Sequence, residues 1–340
     1  MFIVMQRQAT PEQVKTVRDD IQRIGFRPFI NPGVERKVIA VLGELDAKKA
    51  ALLEHFYSFP GVERVDLISH LWKLASREYH PSDSVFDIAG IKIGGEAIAV
   101  IAGPCSVESE AQIIEVAEKV KAEGAQFLRG GAFKPRTSPY AFQGLGEDGL
   151  KFLAKAGEVT GLPIVTEVMD TADVELVASY ANVLQIGTRN MQNYSLLKRV
   201  GQTGKPVILK RGQGCKIRDL IMSAEYMMAE GNEKVILCER GITTFEDSTR
   251  NTTDINAIPV LKHWTHLPII LDPSHATGDW RYVASVSRAA VAAGADGLLI
   301  EVHNNPKHAL CDGAQSLRPE QFKDLMEQLS RVSQAVGRTL

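Results

Sequence analysis

The segment IAGPCSVESE, residues 101–110, places a thiol directly after an apolar run. Cys105 follows Gly103 and Pro104, at the point where a buried strand is expected to leave the core. Packing is the first interpretation, because an unpaired cysteine is most often a small buried hydrophobe. A thiolate also binds metal ions, and that alternative depends on which groups the fold brings next to Cys105.

Other metal-binding side chains follow two later apolar runs. His275 comes shortly after PIILD, Glu301 lies in GLLIEV, and Asp312 lies in the loop that follows. A thiolate, an imidazole and two carboxylates can together surround a divalent transition ion, and the soft sulfur argues against magnesium or calcium alone. These residues form no contiguous signature. The prediction that all four bind one ion therefore depends on a fold that brings them together.

Basic side chains are frequent at the ends of the apolar runs. Seven are found there: Arg129, Lys134, Arg136, Arg189, Lys210, Arg211 and Arg240. A solvated loop charge is the ordinary interpretation of any one of them. If all seven converge on one pocket, they repel one another unless anions neutralise them. The sequence therefore predicts substrates that carry more than one phosphate or carboxylate group.

Eight short apolar runs must position these groups, and each is followed by a polar or glycine break and a helix-like stretch. They cover residues 97–103, 126–131, 163–168, 183–187, 206–210, 234–239, 268–272 and 297–302. Connections of this length suit right-handed crossovers between parallel strands. The pattern predicts a (β/α)₈ barrel, with an open doubly wound sheet as the alternative. Barrel active sites lie at the carboxyl ends of the strands, where these polar residues fall, Glu167 of the third run included.

A smaller domain is predicted over residues 1–72. Thr10, Pro11 and Gln13 have the types expected at a helix start, and Gly25 the type expected at its end. Strand-like and helix-like runs then follow at residues 26–30, 37–43, 46–56 and 62–69. The order βαββαβ predicts a ferredoxin-like unit, which resembles the small-molecule sensors called ACT-like. A packing or oligomerisation domain is an equally good interpretation.

Between the two domains, residues 73–96 are predicted to form a linker and a hairpin that caps the barrel. The hairpin VFDIAGIKIGG is expected to turn at Ala89 and Gly90. The barrel itself is then expected over residues 97–340.

Composition excludes several classes of function. The 39 basic and 41 acidic residues give a formal charge of -2, so no global basic field is present to hold nucleic acid or an anionic membrane surface. No window approaches the roughly 20 apolar residues of a membrane span, and the amino terminus lacks the pattern of a secretion signal. Four scattered cysteines without CxxC spacing argue against a disulfide framework and a zinc ribbon. A cytoplasmic location is expected.

Several motifs resemble, nearly word for word, the 3-deoxy-D-arabino-heptulosonate 7-phosphate (DAHP) synthases. They are IAGPCSVES, LRGGAFKPRTSPYAFQGLG, QIGTRNMQN, LKRG, LCERG, DPSHATG and IEVH. The resemblance is strong over residues 75–335 and is closest to the subgroup with an ACT-like amino-terminal extension, which residues 1–72 match by pattern. It implies a metal-dependent condensation of phosphoenolpyruvate with erythrose 4-phosphate, the first step of the shikimate pathway.

The resemblance also implies roles for the residues. Mn²⁺, Fe²⁺, Co²⁺ or Zn²⁺ would bind the set Cys105, His275, Glu301 and Asp312. Phosphoenolpyruvate would be surrounded by Arg129, Lys134, Arg189, Lys210 and Arg240. In KPRTS, Arg136 and Thr137 would hold the phosphate of the sugar. The expected catalytic residues are Lys134 as proton donor, Glu167 or a metal-bound water to orient the attacking water, and Asp312.

Regulation and assembly are implied in the same way. Tyrosine or phenylalanine is expected to inhibit the enzyme through residues 1–72, with inhibition lost when they are deleted, and a homotetramer is expected. Two interpretations of Cys311 are open: a loop thiol without a role, or the partner of Cys105 in an oxidative bridge that forms when the metal is lost.

Three alternatives remain at the level of sequence. The synthase that joins phosphoenolpyruvate to arabinose 5-phosphate has a Cys or Asn at the position of Cys105, so the metal-binding residues do not separate the two. It resembles KANRSS, however, where this chain has KPRTS. A metal-dependent aldolase of another barrel family would not consume phosphoenolpyruvate, and it would have no need for so many basic groups. A non-catalytic binding barrel is disfavoured because all four metal-binding residues are retained.

Overall fold

The computed structural model describes residues 1–31, 36–43, 49–67, 71–136 and 138–340. The chain divides into two compact units, Met1–Ser82 and Asp83–Leu340. Within the described ranges, no helix combines the length and the hydrophobicity needed to cross a bilayer.

The first unit is an antiparallel sheet of four strands with two helices. In chain order the elements are β1 (Phe2–Met5), α1 (Pro11–Arg23), β2 (Arg27–Asn31), β3 (Val38–Leu42), α2 (Lys49–Tyr57) and β4 (Val62–Asp66). The strand order is β2-β3-β1-β4. The predicted βαββαβ order and the ferredoxin-like fold are thus confirmed. Residues 44–48 and 68–70, at the predicted start of α2 and beyond β4, lie outside the described residues.

The sequence pattern explains how α1 forms and packs. Thr10 and Gln13 make the predicted capping box: Gln13 N donates to Thr10 Oγ1 at 3.3 Å and Thr10 N donates to Gln13 Oε1 at 2.9 Å. Val17 and Ile21, one turn apart, are fully buried against the inward face of β1, which includes Ile3. Apolar burial on one face of a helix is the main force that holds such a short segment in place.

The second unit begins with a hairpin, β5 (Phe86–Ile88) and β6 (Ile91–Ile93). It turns at Ala89 and Gly90, whose φ angles of 53° and 84° suit the tight two-residue turn predicted there. Ile88 and Ile93 belong to one apolar cluster with the inward-facing residues of the strands that follow.

Eight parallel strands form a closed barrel: β7 (Ala99–Gly103), β8 (Phe127–Arg129), β9 (Ile164–Val168), β10 (Val183–Ile186), β11 (Val207–Lys210), β12 (Val235–Glu239), β13 (Ile269–Leu271) and β14 (Gly297–Glu301). Each lies within one of the eight predicted runs. Closure comes from the pairing of β14 with β7, in which Glu301 lies beside Gly103. The barrel prediction is confirmed, and the open doubly wound alternative is wrong.

Helices surround the barrel in the expected alternation. They are α3 (Glu110–Ala122), α4 (Glu147–Thr160), α5 (Val174–Tyr180), α6 (Tyr194–Gly201), α7 (Ile217–Ala229), α8 (Ala257–Trp264), α9 (Pro273–Thr277), α10 (Trp280–Ala292) and α11 (Pro319–Ala335). One glycine at the end of β7 is required by this geometry: Gly103 has a φ of 151°, and a Cβ there would lie 2.1 Å from the carbonyl oxygen of Arg129. The close approach of β7 and β8 therefore excludes any side chain at position 103, two residues before Cys105.

Candidate active site

A cavity of about 350 Å³ opens at the carboxyl ends of the barrel strands. Predicted site residues that line it are Lys134, Arg136, Glu167, Arg189, Lys210, Arg240, His275 and Asp312. Thr137 lies outside the described residues. The location is the one that the barrel fold predicts for an active site.

The four predicted metal-binding residues lie together at this end of the barrel. Ligand atoms of Cys105, His275 and Glu301 all lie within 4.8 Å of one another. His275 Nε2 is 3.4 Å from Glu301 Oε1 and 4.0 Å from Asp312 Oδ2. Asp312 Oδ2 is in turn 3.4 Å from Cys105 Sγ. Closure of the barrel is what makes β7, β13 and β14 neighbours and so assembles this set.

The environment of Glu301 fits a bound cation. Its side chain is fully buried, and one oxygen, Oε2, accepts a hydrogen bond from Gln315 Nε2 at 2.7 Å. The other oxygen, Oε1, lies 3.1 Å from Arg129 Nη1 without making a hydrogen bond to any described residue. A buried carboxylate oxygen that faces an imidazole and a thiol suits a divalent transition ion. The residues present therefore fit the metal that the sequence implies.

His275 is held in the orientation that a metal ligand needs. Its Nδ1 lies 2.7 Å from Asp272 Oδ2, and Asp272 is also paired with Lys210. Burial raises the pKa of Asp272, but His275 and Lys210 outweigh it and hold that pKa well below its usual range. Burial lowers the pKa of His275 more than Asp272 raises it. A neutral imidazole that donates from Nδ1 to Asp272 leaves the lone pair of Nε2 facing Glu301 and Asp312.

Two thiols meet beside this set. Cys105 Sγ lies 3.3 Å from Cys311 Sγ. Lys134 Nζ donates to Cys105 Sγ at 3.1 Å, and Arg136 Nη1 donates to Cys311 Sγ at 2.9 Å. The hydrogen bond between the thiols, followed by burial, raises the pKa of Cys105 well above its ordinary value, and the same bond lowers the pKa of Cys311. Cys311 is therefore the thiol that ionises first.

Two buried guanidinium groups belong to the predicted site: Arg240 lines the cavity, and Arg129 Nη1 lies 3.1 Å from Glu301 Oε1. Arg129 and Arg240 are 4% and 3% exposed, and in each the Nε and Nη1 atoms lack a hydrogen-bond partner among the residues that the structure describes. Burial lowers the pKa of Arg240, which shows how poorly its charge is solvated. Buried guanidinium donors without hydrogen-bond partners are costly, so Arg240, which lines the cavity, is suited to bind an anion.

The other predicted basic residues differ in how far they are neutralised. Lys210 is paired with Asp272, and Arg189 Nη1 donates to the carbonyl oxygen of Pro135 at 3.2 Å while lining the cavity. Arg211 was expected at the mouth, but it is bound 2.8 Å from each of Glu239 and Asp254 and does not line the cavity. The expectation that seven basic groups converge on one pocket therefore does not hold for Arg211, because two carboxylates hold it outside the cavity lining. Arg129 is likewise absent from that lining and lies beside Glu301.

Glu167 is an acidic residue of the cavity lining. It lies on β9 and accepts a hydrogen bond from Gln185 Nε2 at 3.2 Å. Gly187 leaves the space that this carboxylate occupies, because a Cβ at that position would lie 2.0 Å from Glu167 Oε1.

Two residues that the sequence did not single out support the metal set. Arg250 Nη1 donates to Gln315 Oε1 at 2.8 Å and lies 3.5 Å from Asp312 Oδ1. Gln315 is 2% exposed, and its Nε2 donates the hydrogen bond to Glu301 Oε2, so it links Arg250 to Glu301. Burial raises the pKa of Asp312, but Arg250, His275 and Lys134 outweigh it and lower that pKa to about 2. The only signal in the sequence is that Gln315 follows Asp312 by three residues.

Fold and site together define a barrel enzyme whose cavity is lined by basic side chains next to a cluster of residue types that could hold a metal ion. The family model described as the DAHP synthetase I family matches residues 76–337, and the model of the DAHP synthase ferredoxin-like domain matches residues 1–70. The chain belongs to the DAHP synthetase I family.

Individual relatives agree with this assignment. The chain is 44% identical over 337 residues to phospho-2-dehydro-3-deoxyheptonate aldolase of Thermotoga maritima, covering 99% of both proteins. The crystal structure of a DAHP synthase from that organism superimposes with a TM-score of 0.79, covering 99% of this chain and 98% of the other. The structure of a truncated form of a DAHP synthase from the same organism superimposes with a TM-score of 0.74, covering 78% of this chain. A 2-dehydro-3-deoxyphosphooctonate aldolase of Syntrophotalea carbinolica is 34% identical over 73% of this chain and 96% of its own length.

Proposed function

We propose that this chain catalyses the condensation of phosphoenolpyruvate with erythrose 4-phosphate and water to give DAHP and inorganic phosphate. One observation supports this most directly: two buried arginines keep donors without hydrogen-bond partners among the described residues, and of these Arg240 lines the cavity with His275 and Asp312 while Arg129 Nη1 lies 3.1 Å from Glu301 Oε1. Phosphoenolpyruvate carries a carboxylate and a phosphate, so it satisfies the donors that the protein leaves open. Membership of the DAHP synthetase I family over most of the chain agrees with this activity.

In this proposal Arg129, Lys134, Arg189, Lys210 and Arg240 surround phosphoenolpyruvate. Cationic groups that are already in place and shielded from water stabilise the charge that shifts during attack without reorganising. The phosphate of erythrose 4-phosphate is assigned to the KPRTS segment, through Arg136 and Thr137. Arg136 is half-buried and lines the same cavity as His275 and Asp312, which supports this assignment.

The residues Cys105, His275, Glu301 and Asp312 would hold a divalent ion, Mn²⁺, Fe²⁺, Co²⁺ or Zn²⁺, which would supply Lewis acidity for the aldehyde. A carbon–carbon bond forms between the enol carbon of phosphoenolpyruvate and the aldehyde carbon. Water then adds to the carbon that carries the phosphate, and the bond to the phosphate breaks. Lys134 is assigned proton donation, and its Nζ already donates two hydrogen bonds, to Cys105 O at 3.0 Å and to Cys105 Sγ. Glu167, which lines the cavity, is assigned the orientation of water.

The alternative sugar substrate is arabinose 5-phosphate. The 34% identity to a 2-dehydro-3-deoxyphosphooctonate aldolase supports this alternative. The test measures release of inorganic phosphate from phosphoenolpyruvate with each sugar at equal concentration. We expect turnover with erythrose 4-phosphate. A preference for arabinose 5-phosphate would overturn the proposed substrate, and an aldol product formed without phosphate release would overturn the reaction class.

Metal dependence is tested on the same assay and by binding. Chelation is expected to abolish activity, and Mn²⁺, Co²⁺, Fe²⁺ or Zn²⁺ to restore part of it. Cys105→Ser should weaken both Mn²⁺ binding and turnover, while Cys215→Ser, at a half-buried thiol of another loop, should leave both unchanged. Full activity of Cys105→Ser in the presence of chelator would exclude the metal role.

Regulation is the second part of the proposal. We infer that residues 1–72 bind tyrosine or phenylalanine and inhibit the barrel, in a cytoplasmic homotetramer. The match of residues 1–70 to the DAHP synthase ferredoxin-like domain supports a dedicated accessory role for this unit. Inhibition requires that the ligand bind two states of the enzyme unequally. The test compares inhibition of the full chain and of a chain without residues 1–72, and equal inhibition of the two would contradict the inference.

A further inference from the structure

A buried ion cluster lies beside the strand ends that carry two cationic residues of the cavity. It consists of Arg211, Glu239 and Asp254: Arg211 Nη1 lies 2.8 Å from Glu239 Oε2 and 2.8 Å from Asp254 Oδ2. Arg211 is 5% exposed and Glu239 is fully buried. These three residues do not belong to the cavity lining, so the proposed reaction assigns the cluster no role.

The strand register explains why the cluster and the cavity use alternate residues. Lys210, at the end of β11, pairs with Cys238 of β12, and Arg211 N donates to Cys238 O at 2.9 Å. Successive side chains of a strand lie on opposite faces. Lys210 and Arg240 line the cavity. Arg211 and Glu239, one residue away along the chain, lie on the other face and pair with each other.

Glu239 bridges the backbone on either side of Arg240. Its Oε2 accepts a hydrogen bond from Arg211, and its Oε1 accepts one from the backbone amide of Gly241 at 2.7 Å. Gly241 has a φ of 88°, and a Cβ there would lie 2.6 Å from the Cβ of Asn251, so the chain has little room to move at this point. Arg211 therefore fixes a carboxylate that in turn fixes the backbone around residue 240.

Arg240 needs such a constraint because its surroundings solvate its charge poorly. The side chain is 3% exposed, and its Nε and Nη1 lack hydrogen-bond partners among the residues that the structure describes. Burial lowers the pKa of Arg240, Asp272 opposes this effect, and the like charge of Arg250 adds to it. Until an anion binds, poor solvation and repulsion therefore favour movement of this guanidinium out of the cavity.

We propose that Arg211 is a positioning residue which, through Glu239, keeps the guanidinium of Arg240 directed into the cavity before the anion binds. The proposal rests on the proposed function, in which Arg240 binds phosphoenolpyruvate. Arg211 itself is committed elsewhere, because two carboxylates neutralise it and its Nε donates to Cys215 O at 2.9 Å. A group that is already ordered costs less to bind, so loss of Arg211 should weaken the binding of phosphoenolpyruvate.

The variants separate this role from a contribution to stability. Burial raises the pKa of Glu239 and Arg211 opposes that rise, so Arg211→Met alone leaves a buried carboxylate without its counter-charge. The double variant Arg211→Met/Glu239→Gln removes both charges, so its stability should recover while the link between the two strand ends stays broken. Arg338→Met is the control for lost stability, because Arg338 Nη2 lies 3.1 Å from Oδ1 of the buried Asp296 and neither residue lines the cavity.

Binding of phosphoenolpyruvate to the full chain is measured by titration calorimetry, with thermal unfolding to confirm that each variant is folded. We expect the dissociation constant of the double variant to rise about 10–100-fold, as for a misplaced group of a binding site. Arg338→Met should bind phosphoenolpyruvate like the wild type. The KM of erythrose 4-phosphate, whose phosphate is assigned to Arg136, should stay within about twofold in the double variant, as for sites that share no partners.

Hydrogen exchange gives a second readout that needs no substrate. The backbone amides of residues 239–242, followed by mass spectrometry, should exchange faster in the double variant than in the wild type, because Gly241 N is held less firmly. Exchange at the wild-type rate would overturn the proposal. Wild-type affinity for phosphoenolpyruvate in the folded double variant would do the same.

The remaining outcomes are also decisive. An equal rise for both substrates would overturn the proposal, since that pattern indicates a general distortion of the site. If the double variant does not fold, Glu239→Gln keeps Arg211 paired with Asp254 and weakens only the contact at position 239; an unchanged dissociation constant in this variant would refute the proposal. A wild type that releases no phosphate from phosphoenolpyruvate with either sugar would instead refute the proposed function, while hydrogen exchange still tests whether Arg211 fixes the backbone around Arg240.

Discussion

Gln315→Met tests whether the protein holds Glu301 in place through a buried amide. Gln315 Nε2 donates to Glu301 Oε2 at 2.7 Å, and its Oε1 accepts from Arg250 Nη1 at 2.8 Å. Both partners are charged, and a hydrogen bond of this kind contributes about 1.5–3 kcal/mol. Methionine has a similar shape but can make neither bond. Glu301 Oε2 would then be buried without a donor, and the carboxylate would be free to turn its other oxygen away from His275.

We expect the Mn²⁺ dissociation constant to rise about 10–100-fold, as is typical when a partner of a metal ligand is removed. This corresponds to about 1.4–2.8 kcal/mol, which agrees with the loss of one hydrogen bond to a charged group. The assay is a Mn²⁺ titration followed by electron paramagnetic resonance, with thermal unfolding to confirm that the variant is folded.

Gln328→Met is the matched control for this experiment. Gln328 Oε1 accepts from Arg288 Nη1 at 2.8 Å, so the change removes the same type of bond between α10 and α11, away from the cavity lining. Its Mn²⁺ affinity should equal that of the wild type. If folded Gln315→Met also binds Mn²⁺ with wild-type affinity, Glu301 is not positioned through Gln315 and the reasoning is wrong.

Two further substitutions test the position of Glu167 in the cavity lining and the charge of the buried Asp272. Gly187→Ala should displace the Glu167 carboxylate, because the new Cβ would lie 2.0 Å from Glu167 Oε1. We expect kcat/KM to fall about 10²-fold with little change in Tm. The control Gly214→Ala, whose Cβ would meet open space, should have no effect. Unchanged kcat/KM in Gly187→Ala would argue against a role for Glu167. Asp272→Asn should cost about 3–5 kcal/mol of stability at pH 7, because Lys210 is left buried without its counter-charge. The pKa of Asp272 in the folded protein lies well below its value of about 3.9 in the unfolded chain. The wild type should therefore exceed Asp272→Asn in free energy of unfolding by the full amount above pH 4, and the difference should shrink as pH falls below that value. A difference in stability that does not vary between pH 7 and pH 3 would contradict the assigned charge.

Much of the site was predictable once the barrel was recognised. Polar residues at the ends of eight apolar runs have one common location in a closed barrel, and this rule alone brings Cys105, His275, Glu301 and Asp312 to one place. The rule fails for Arg211, which lies at the end of β11 like Lys210. Its partners Glu239 and Asp254 are 28 and 43 residues away along the chain, and no local pattern shows that they neutralise it.

The sequence by itself determined the alternation of strands and helices, the ferredoxin-like order of the first unit and the types of side chain available for chemistry. These depend on hydrophobic periodicity and on cap and turn residues, which act between near neighbours in the chain. Only the tertiary structure decided which charges are paired, that Arg250 and Gln315 support Glu301, and that Cys311 lies 3.3 Å from Cys105. Hydrogen bonds and metal coordination act over about 3 Å, and residues far apart in sequence reach that distance only when the barrel closes.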